Sequence, residues 1–330
     1  MIVLGRMLMV LWICTSFISC GADKKDETKE NSKPAKEALT PPTFNSDSSY
    51  HYIEQQLAFG PRVPNTSPHA QCAQYLQDEL KRFGCEVMVQ EFEATAWNNT
   101  TLNGKNIIAS LWPEKKKRIM LAAHWDTRPY ADRDSVDKDS PILGANDGAS
   151  GVAVLMEMAR VMLQHDTIPR VGVDLVLFDV EDYGAPESAE VNDRKFCLGS
   201  EYWSNNKHQK NYHAYYGILL DMVGAKDATF TMEGNSMEFA PKIVRKVWNK
   251  AKNLGYKNYF LRKKTMGILD DHYYVNTVAR IPMIDIIHHS QSKEHLFFQH
   301  WHTHRDDIHC IDKNTLQAVG ETLLHVLYEE

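Results

Sequence analysis

Acidic residues placed just after predicted strands, together with a histidine near the C-terminus, are the side chains of this chain best suited to chemistry. In chain order they are Asp147, Glu181, Asp182, Asp221, Asp270, Asp271 and His302. Carboxylate oxygens and imidazole nitrogens are ligands that zinc takes in proteins. Since an open α/β sheet places its site at the carboxyl ends of its strands, we expect these side chains to meet there around a metal ion.

The segments between these side chains alternate between predicted strands and predicted helices. Runs of apolar residues predict buried strands at residues 106–112, 118–123, 171–179, 215–221 and 281–287, and the alternating segment 85–92 predicts an outer strand. Helices are predicted at residues 67–83, 147–164, 236–254 and 313–328, the first with Ser67 as its N-cap. Such alternation predicts an α/β layer fold, with one domain covering residues 44–330.

Each of these side chains has a simpler explanation when it is considered alone. Asp147 precedes a predicted helix and could serve only as its N-cap, and Glu181 and Asp182 could form a solvated turn. Asp221 ends an apolar strand, where an unpaired carboxylate would be costly. Taken together, and with His124 following another strand, the set supplies one polar group at each strand end in turn.

This order of motifs resembles the zinc aminopeptidases of the bacterial leucyl aminopeptidase type. The matching segments are His124-Trp125-Asp126, Asn146-Asp147-Gly148, Glu181-Asp182, Asp221 and His302. The resemblance implies a single three-layer α/β domain, with a mixed and mostly parallel central sheet flanked by helices. It implies that Glu181 is the general base, and that Asp182 is a zinc ligand in place of the family's usual glutamate. Asp147 and His302 would be the other zinc ligands.

The chain is more specifically similar to glutaminyl cyclases, which share that fold and close an N-terminal glutamine into pyroglutamate. Trp301 directly precedes the late histidine, as in the animal enzymes, and residues 270–272 match their Asp-Asp-His run. Residues 220–225 match their Leu-Asp-Leu-Ile-Gly-Ala segment. This resemblance implies that the substrates are peptides or proteins with an N-terminal glutamine, and that one catalytic zinc serves the reaction with release of ammonia.

The cyclase resemblance also implies roles for side chains around the zinc. Asp221 and Asp270 would hold the substrate amine and the leaving nitrogen by hydrogen bonds. Trp301, with Phe297 or its neighbour, would line an apolar slot for the glutamine side chain. Asp285 stands where the animal enzymes have a histidine, and it would serve as a polar partner of Asp270.

A dizinc aminopeptidase is the alternative that the residues leave open, because His124 and Asp221 are both present and could bind a second metal ion. Trp301 and residues 270–272 distinguish the two activities in favour of the cyclase. A non-catalytic binding module with this fold is a third possibility. It would be expected to have lost Glu181 or a zinc ligand, and this chain keeps them all.

The N-terminal segment is predicted to be a processing signal rather than part of the fold. Arg6 precedes the nearly uncharged residues 7–19, and Cys20 follows them. The small residue Ser19 before Cys20, at the end of such a run, resembles the lipobox of bacterial lipoproteins. The resemblance implies a signal peptide at residues 1–19, acylation of Cys20, and an exported protein anchored at the periplasmic or cell-envelope face of a membrane. Residues 20–43 are polar and predict a flexible tether. An ordinary secretory peptide with an incidental cysteine is the alternative.

The charge balance argues against binding to nucleic acid. The 330 residues carry a formal net charge of −6, and no basic stripe is present. Proteins that bind nucleic acid usually concentrate lysine and arginine on one face.

The cysteines show no spacing typical of a zinc site. Apart from Cys14 in the predicted signal peptide and Cys20, they are Cys72, Cys85, Cys197 and Cys310. Export would permit disulfides, and four cysteines allow three full pairings among which the sequence does not choose. We interpret these cysteines as structural or free.

We predict that the substitution Cys20→Ala releases the protein from the membrane, because the thiol of Cys20 is the predicted site of acylation. The wild type should partition with membranes in cell fractionation, and the variant should not. Cys14→Ala is the matched control and should leave the anchor intact. A Cys20→Ala protein that stays in the membrane fraction with unchanged mobility would contradict the lipoprotein interpretation.

Overall fold

A mixed six-stranded sheet forms the middle layer of the computed structural model, which describes residues 39–291 and 295–330. The strands of the chain are β1 (Glu86–Thr95), β2 (Thr101–Leu111), β3 (Arg118–His124), β4 (Gly172–Phe178), β5 (Gly217–Asp221), β6 (Phe230–Met232), β7 (Phe260–Lys264) and β8 (Met283–Ile287). The order in the main sheet is β1-β2-β4-β3-β5-β8, while β6 and β7 pair separately. The β1–β2 and β2–β4 pairs are antiparallel, and the β4–β3, β3–β5 and β5–β8 pairs are parallel.

Helices cover both faces of the sheet, so the predicted three-layer α/β fold is confirmed. They are α1 (Ser46–Ala58), α2 (Ser67–Phe83), α3 (Ala149–Leu163), α4 (Leu198–Asn205), α5 (Gly234–Phe239), α6 (Pro241–Asn253), α7 (Asp271–Thr277) and α8 (Lys313–Tyr328). Alternate strand residues face opposite layers. Ile107 and Ala109 of β2 pack in the core with α1, α2, α3, α6 and α8. Ile108 packs in a second core with Trp203 of α4 and Val275 of α7.

Local signals account for the helix ends, with two differences from the predicted ones. Thr66, not Ser67, is the N-cap of α2, and its side chain accepts a hydrogen bond from the backbone N–H of His69. Gly84 ends α2 with a left-handed φ of 107°, as glycine does readily. The helix predicted at residues 236–254 is divided into α5 and α6, because Pro241 starts a new helix and cannot continue the previous one.

The chain reverses its direction of winding at β3, which has β4 on one side and β5 on the other. The helix α3, which joins β3 to β4, packs on the face of the sheet that carries Ile107 and Ala109. The helix α4, which joins β4 to β5, packs on the opposite face, which carries Ile108. Connections that leave in opposite directions open a crevice at the carboxyl ends of the strands. Gly151 keeps α3 close to this crevice, since a Cβ there would lie 2.3 Å from the carbonyl oxygen of Leu220.

The domain includes residues upstream of the predicted boundary at Phe44. Leu39 packs against the core, and Pro42 is buried, although both fall in the predicted tether. The ring of Phe44 packs over Gly320 of α8, where a Cβ would lie 2.3 Å from it. The predicted signal peptide and Cys20 lie outside the described residues. Within those residues, none of the helices is long and apolar enough to cross a membrane.

A buried ion pair joins β4 to the start of β3. Asp174 is 1% exposed, and Arg118 donates from Nε and Nη2 to its two oxygens at 2.6 Å each. Ser110 of β2 and Tyr212 donate to the same carboxylate at 2.6 and 2.8 Å. Because four hydrogen bonds converge on one buried group, its removal leaves several donors without an acceptor.

We predict that Asp174→Ala lowers the free energy of unfolding by about 3–5 kcal/mol, as expected when one partner of a buried ion pair is removed. Urea denaturation followed by circular dichroism measures this loss. Glu79→Ala breaks the pair between Glu79 and Arg82 on the exposed side of α2, and should cost no more than about 1 kcal/mol. Equal losses for the two variants would show that Asp174 does not stabilise the sheet.

Candidate active site and metal centre

A cavity of about 320 Å³ opens at the carboxyl ends of β4, β5 and β8. Its polar lining consists of Asp147, Glu181, Asp182, Asp221, Asp270 and His302. Its apolar lining includes Phe196, Met222, Ile268, Leu269, Phe297 and Trp301. Side chains that are far apart in the sequence therefore meet in one pocket, and most of the side chains predicted to form the site are among them.

Asp147, Asp182 and His302 form a group whose ligand atoms all lie within 4.8 Å of one another. Nε2 of His302 is 3.4 Å from Oδ1 of Asp182 and 3.8 Å from Oδ2 of Asp147. Within the described residues, Oδ2 of Asp147 and Oδ2 of Asp182 are buried without a hydrogen-bond donor. Buried carboxylate oxygens without donors are costly unless a cation neutralises them. The donor set and its spacing therefore fit a metal ion.

His124 lies beside this group and bridges two of the carboxylates. Its Nε2 is 3.1 Å from Oδ1 of Asp147 and 3.2 Å from Oδ1 of Asp221. Burial disfavours the charged imidazole, but hydrogen bonds to Asp126, Asp147 and Asp221 outweigh burial and hold the pKa of His124 well above its ordinary value. These atoms make a second possible ligand group that shares Asp147 with the first.

Two buried carboxylates orient the backbone of the acidic residues. Asp126 accepts hydrogen bonds from the N–H groups of Glu181 and Asp182 at 3.0 and 3.1 Å. Asp306 does the same for Asn146 and Asp147, at 2.7 and 3.0 Å. Asp126 belongs to the His-x-Asp motif, whereas Asp306 was not predicted from the sequence. The spacing of four residues after His302 was the only signal for it.

Arg128 and Asp132 contact the candidate metal ligands His302 and Asp182, and neither was predicted from the sequence. Nδ1 of His302 is 3.3 Å from Oδ1 of Asp132, which is held by Arg128 through two contacts of 2.8 Å. Nη1 of Arg128 lies 3.3 Å from Oδ1 of Asp182. Carboxylates behind metal-binding histidines fix the ring and its tautomer. Both residues stand in a stretch without helix or strand, where no periodicity marks them.

Glu181 is partly buried at the edge of the cavity, with 14% of its side chain exposed. Its Oε1 accepts a hydrogen bond from the thiol of Cys197 at 3.1 Å, and its Oε2 lies 4.0 Å from Nδ1 of His124. Burial, opposed by His124 and reinforced by Asp182 and Asp270, holds the pKa of Glu181 well above its ordinary value. A carboxyl group of this kind can take up a proton near neutral pH.

Asp221 and Asp270 line the same cavity, whereas Asp285 is wholly buried in β8. Burial raises the pKa of Asp221 to about 7. One oxygen of Asp270 lies within 4.8 Å of an oxygen of Asp285, and burial together with Asp270 and Asp221 holds the pKa of Asp285 well above its ordinary value. Two adjacent buried carboxyl groups share a proton rather than ionise together. Nδ1 of His272 lies 4.0 Å from Oδ2 of Asp285.

Trp301 and Phe297 form the aromatic side of the cavity. Their ring centroids are 4.6 Å apart in an edge-to-face arrangement. The indole of Trp301 also packs on the ring of His302 at 3.8 Å, and the guanidinium of Arg133 lies 4.3 Å from its centroid. These contacts fix the indole beside the predicted metal ligand.

The four cysteines within the described residues are free thiols. Cys72, Cys85 and Cys197 are buried, and Cys310 is partly buried. None of the three possible pairings is therefore formed.

The comparisons with known proteins agree with this geometry. A sequence profile of peptidase family M28 matches residues 106–327. The chain is similar to the glutaminyl cyclases of Bacteroides thetaiotaomicron (48% identity, TM-score 0.85) and Tannerella forsythia (49%, 0.85). It is also similar to a Zn-dependent exopeptidase from Parabacteroides distasonis (47%, 0.85). Each match covers 88% of this chain and 100% of the other. The predicted family is confirmed, and the protein belongs to peptidase family M28.

Proposed function

We propose that this protein is a glutaminyl-peptide cyclotransferase, which converts an N-terminal glutamine of peptides and proteins to pyroglutamate and releases ammonia. One observation carries the proposal: the metal-binding group, three further carboxyl groups and Trp301 all line one small cavity. The two similar structures that bear the name glutaminyl cyclase support this proposal, since each match covers 100% of the other chain.

Asp147, Asp182 and His302 would hold one zinc ion, since two carboxylates and an imidazole leave a fourth tetrahedral position for substrate. Bound zinc supplies a Lewis acid that polarises the γ-carbonyl of the glutamine side chain. The similarity to a Zn-dependent exopeptidase supports zinc as the metal. Asp132 and Arg128 would keep the ligands aligned in the absence of substrate.

Glu181 would move the proton that the reaction requires. The α-amine forms a new C–N bond to the carbonyl carbon of its own side chain, and the bond from that carbon to the amide nitrogen breaks. The amine gives up a proton in this step, and the departing nitrogen needs one to leave as ammonia. A single carboxyl group of raised pKa, such as Glu181, serves both transfers.

Asp221 and Asp270 would bind the two nitrogen atoms by hydrogen bonds, because both carboxyl groups face the cavity that receives the substrate. Asp285 would act through Asp270 by sharing a proton with it. The apolar faces of Trp301 and Phe297 suit an uncharged side chain and exclude water from it. Cyclisation needs no water as nucleophile, so a dry pocket favours it over hydrolysis.

An aminopeptidase that uses two metal ions is the second candidate function. The observation in its favour is the group formed by His124, Asp147 and Asp221, whose ligand atoms also lie within 4.8 Å of one another. Asp147 would then bridge the two ions. The same peptide substrate distinguishes the two candidates, since cyclisation retains the first residue and hydrolysis removes it.

Export and anchoring by a lipid on Cys20 remain part of the proposal. Its support is the apolar segment at residues 7–19 that precedes Cys20. Substrates would then be peptides and proteins outside the cytoplasm.

We predict about one tightly held zinc ion per chain, because one complete ligand set is open to substrate. Metal analysis of the purified protein measures the zinc content. Removal by a heterocyclic chelator should abolish ammonia release, and added zinc should restore it. Asp182→Asn should lose the zinc, whereas Glu201→Gln on the outer side of α4 should retain it. Two equivalents of tight zinc would instead favour the aminopeptidase and assign His124 and Asp221 as ligands.

We predict that Glu181→Gln lowers kcat for pyroglutamate formation by on the order of 10²–10⁴-fold, because the amide cannot accept the proton. The substitution keeps the size of the side chain, so zinc content and KM should change little. Ammonia release and mass spectrometry of a glutamine-initiated peptide provide the measurement. Turnover close to that of the wild type would rule out Glu181 as the base and direct attention to Asp270.

A further inference from the structure

We propose that Cys197 is a positioning residue whose thiol fixes the orientation of the Glu181 carboxyl group for proton transfer. This inference rests on the proposed cyclase function, because it assigns Cys197 a task in that reaction. Cys197 is wholly buried and directly precedes α4, while Glu181 stands near the start of the same β4–α4 connection.

The thiol distinguishes the two oxygens of Glu181. Sγ of Cys197 lies 3.1 Å from Oε1, while Oε2 lies 4.0 Å from Nδ1 of His124. A glutamate side chain has three rotatable bonds and loses its direction easily at the edge of a cavity. A donor on one oxygen therefore keeps the other oxygen directed toward the His124 side of the site.

The backbone of the same segment holds Glu181 from a second direction. The N–H of Cys197 donates to the carbonyl oxygen of Glu181 at 2.9 Å, and the N–H of Leu198 donates to that of Val180 at 3.0 Å. Val180 and Cys197 both have left-handed backbones, with φ of 57° and 60°. Such conformations are unfavourable for a β-branched residue like valine and persist where the surroundings enforce them. Main chain and side chain of Glu181 are thus held by one segment.

A thiol suits this position for a chemical reason. Asp270 offers a further oxygen within 4.8 Å of both Glu181 and Cys197, so the thiol lies near two carboxyl groups. Burial, and then the Glu181 carboxylate, raise the pKa of the Cys197 thiol well above its ordinary value, so the sulfur keeps its proton. An uncharged thiol can orient Glu181 by a hydrogen bond without placing a positive charge beside its carboxyl group.

The test compares Cys197→Ala, which removes the donor, with Cys197→Ser, which keeps one. For a glutamine-initiated peptide, we expect Cys197→Ala to lower kcat on the order of tenfold, as for loss of a hydrogen bond to a charged group. KM and zinc content should stay within about twofold. Cys197→Ser should retain most of the wild-type kcat. Cys85→Ala removes another buried thiol, at the start of β1, and should leave kcat unchanged.

A double-mutant cycle separates positioning of Glu181 from a general structural role. In the Glu181→Gln background, Cys197→Ala should cause little further loss of kcat, because the group that it positions is already disabled. Equal losses in both backgrounds, or equal losses for Cys197→Ala and Cys197→Ser, would overturn the proposal. If Cys197→Ala does not fold, Cys197→Gly provides the same comparison, since glycine adopts a φ of 60° without strain.

Different results contradict the cyclase function and the role of Cys197. A wild-type protein that forms no pyroglutamate, or that shortens the peptide by one residue, contradicts the cyclase assignment itself. A wild-type protein that forms pyroglutamate, with a Cys197→Ala variant of equal kcat, contradicts only the role of Cys197.

Discussion

The concentration of buried negative charge in one crevice is the constraint on which the rest of this structure depends. The carboxyl groups that line it include those of Asp147, Asp182, Asp221 and Asp270. Ionised carboxylates away from water are strongly unfavourable unless a cation, a hydrogen bond or a shared proton compensates them. Each has such compensation: His124 lies between Asp147 and Asp221, Arg128 contacts Asp182, and an oxygen of Asp270 lies within 4.8 Å of one of Asp285, with which it can share a proton. Among the described residues, one oxygen each of Asp147, Asp182 and Asp270 still lacks a hydrogen-bond donor, and those of Asp147 and Asp182 belong to the candidate metal-binding group with His302.

The need to compensate these buried carboxylates determines much of the surrounding backbone. Asp126 holds the consecutive N–H groups of Glu181 and Asp182, and Asp306 holds those of Asn146 and Asp147, so the backbone that carries these acidic side chains is fixed. Left-handed backbones occur at Val180, at Met222 directly after Asp221, and at His302. These conformations turn the chain sharply at the ends of the strands. The sheet holds the strand ends in place, and the strained turns after them bring together charged groups that repel one another.

The same arrangement serves two related reactions, and the difference lies in the nucleophile. An aminopeptidase must activate water, whereas a cyclase uses an amine that its substrate already carries. The group around His124 could hold a second cation, but its imidazole already contacts both neighbouring carboxylates at hydrogen-bond distance. A cavity of about 320 Å³ with Trp301 on one side is small enough to hold a glutamine side chain away from bulk water. Shape and charge therefore agree with cyclisation at one metal ion.

The sequence by itself determined the α/β class, the strands of the parallel region, and the identity of the acidic residues and of His302, since apolar runs and strand-end positions are local signals. It predicted one helix where Pro241 separates α5 from α6, it did not predict the helices α1, α4 and α7, and it made no statement about Arg128, Asp132 and Asp306. Only the tertiary structure decided that these residues hold the site, and that Cys197 lies against Glu181. Several of these contacts join residues far apart in the chain, such as Asp306 with Asn146 and Arg128 with Asp182, and they form only once the elements that carry them have packed together. A periodic pattern reports which face of an element is buried, but it carries no information about which buried polar groups will meet.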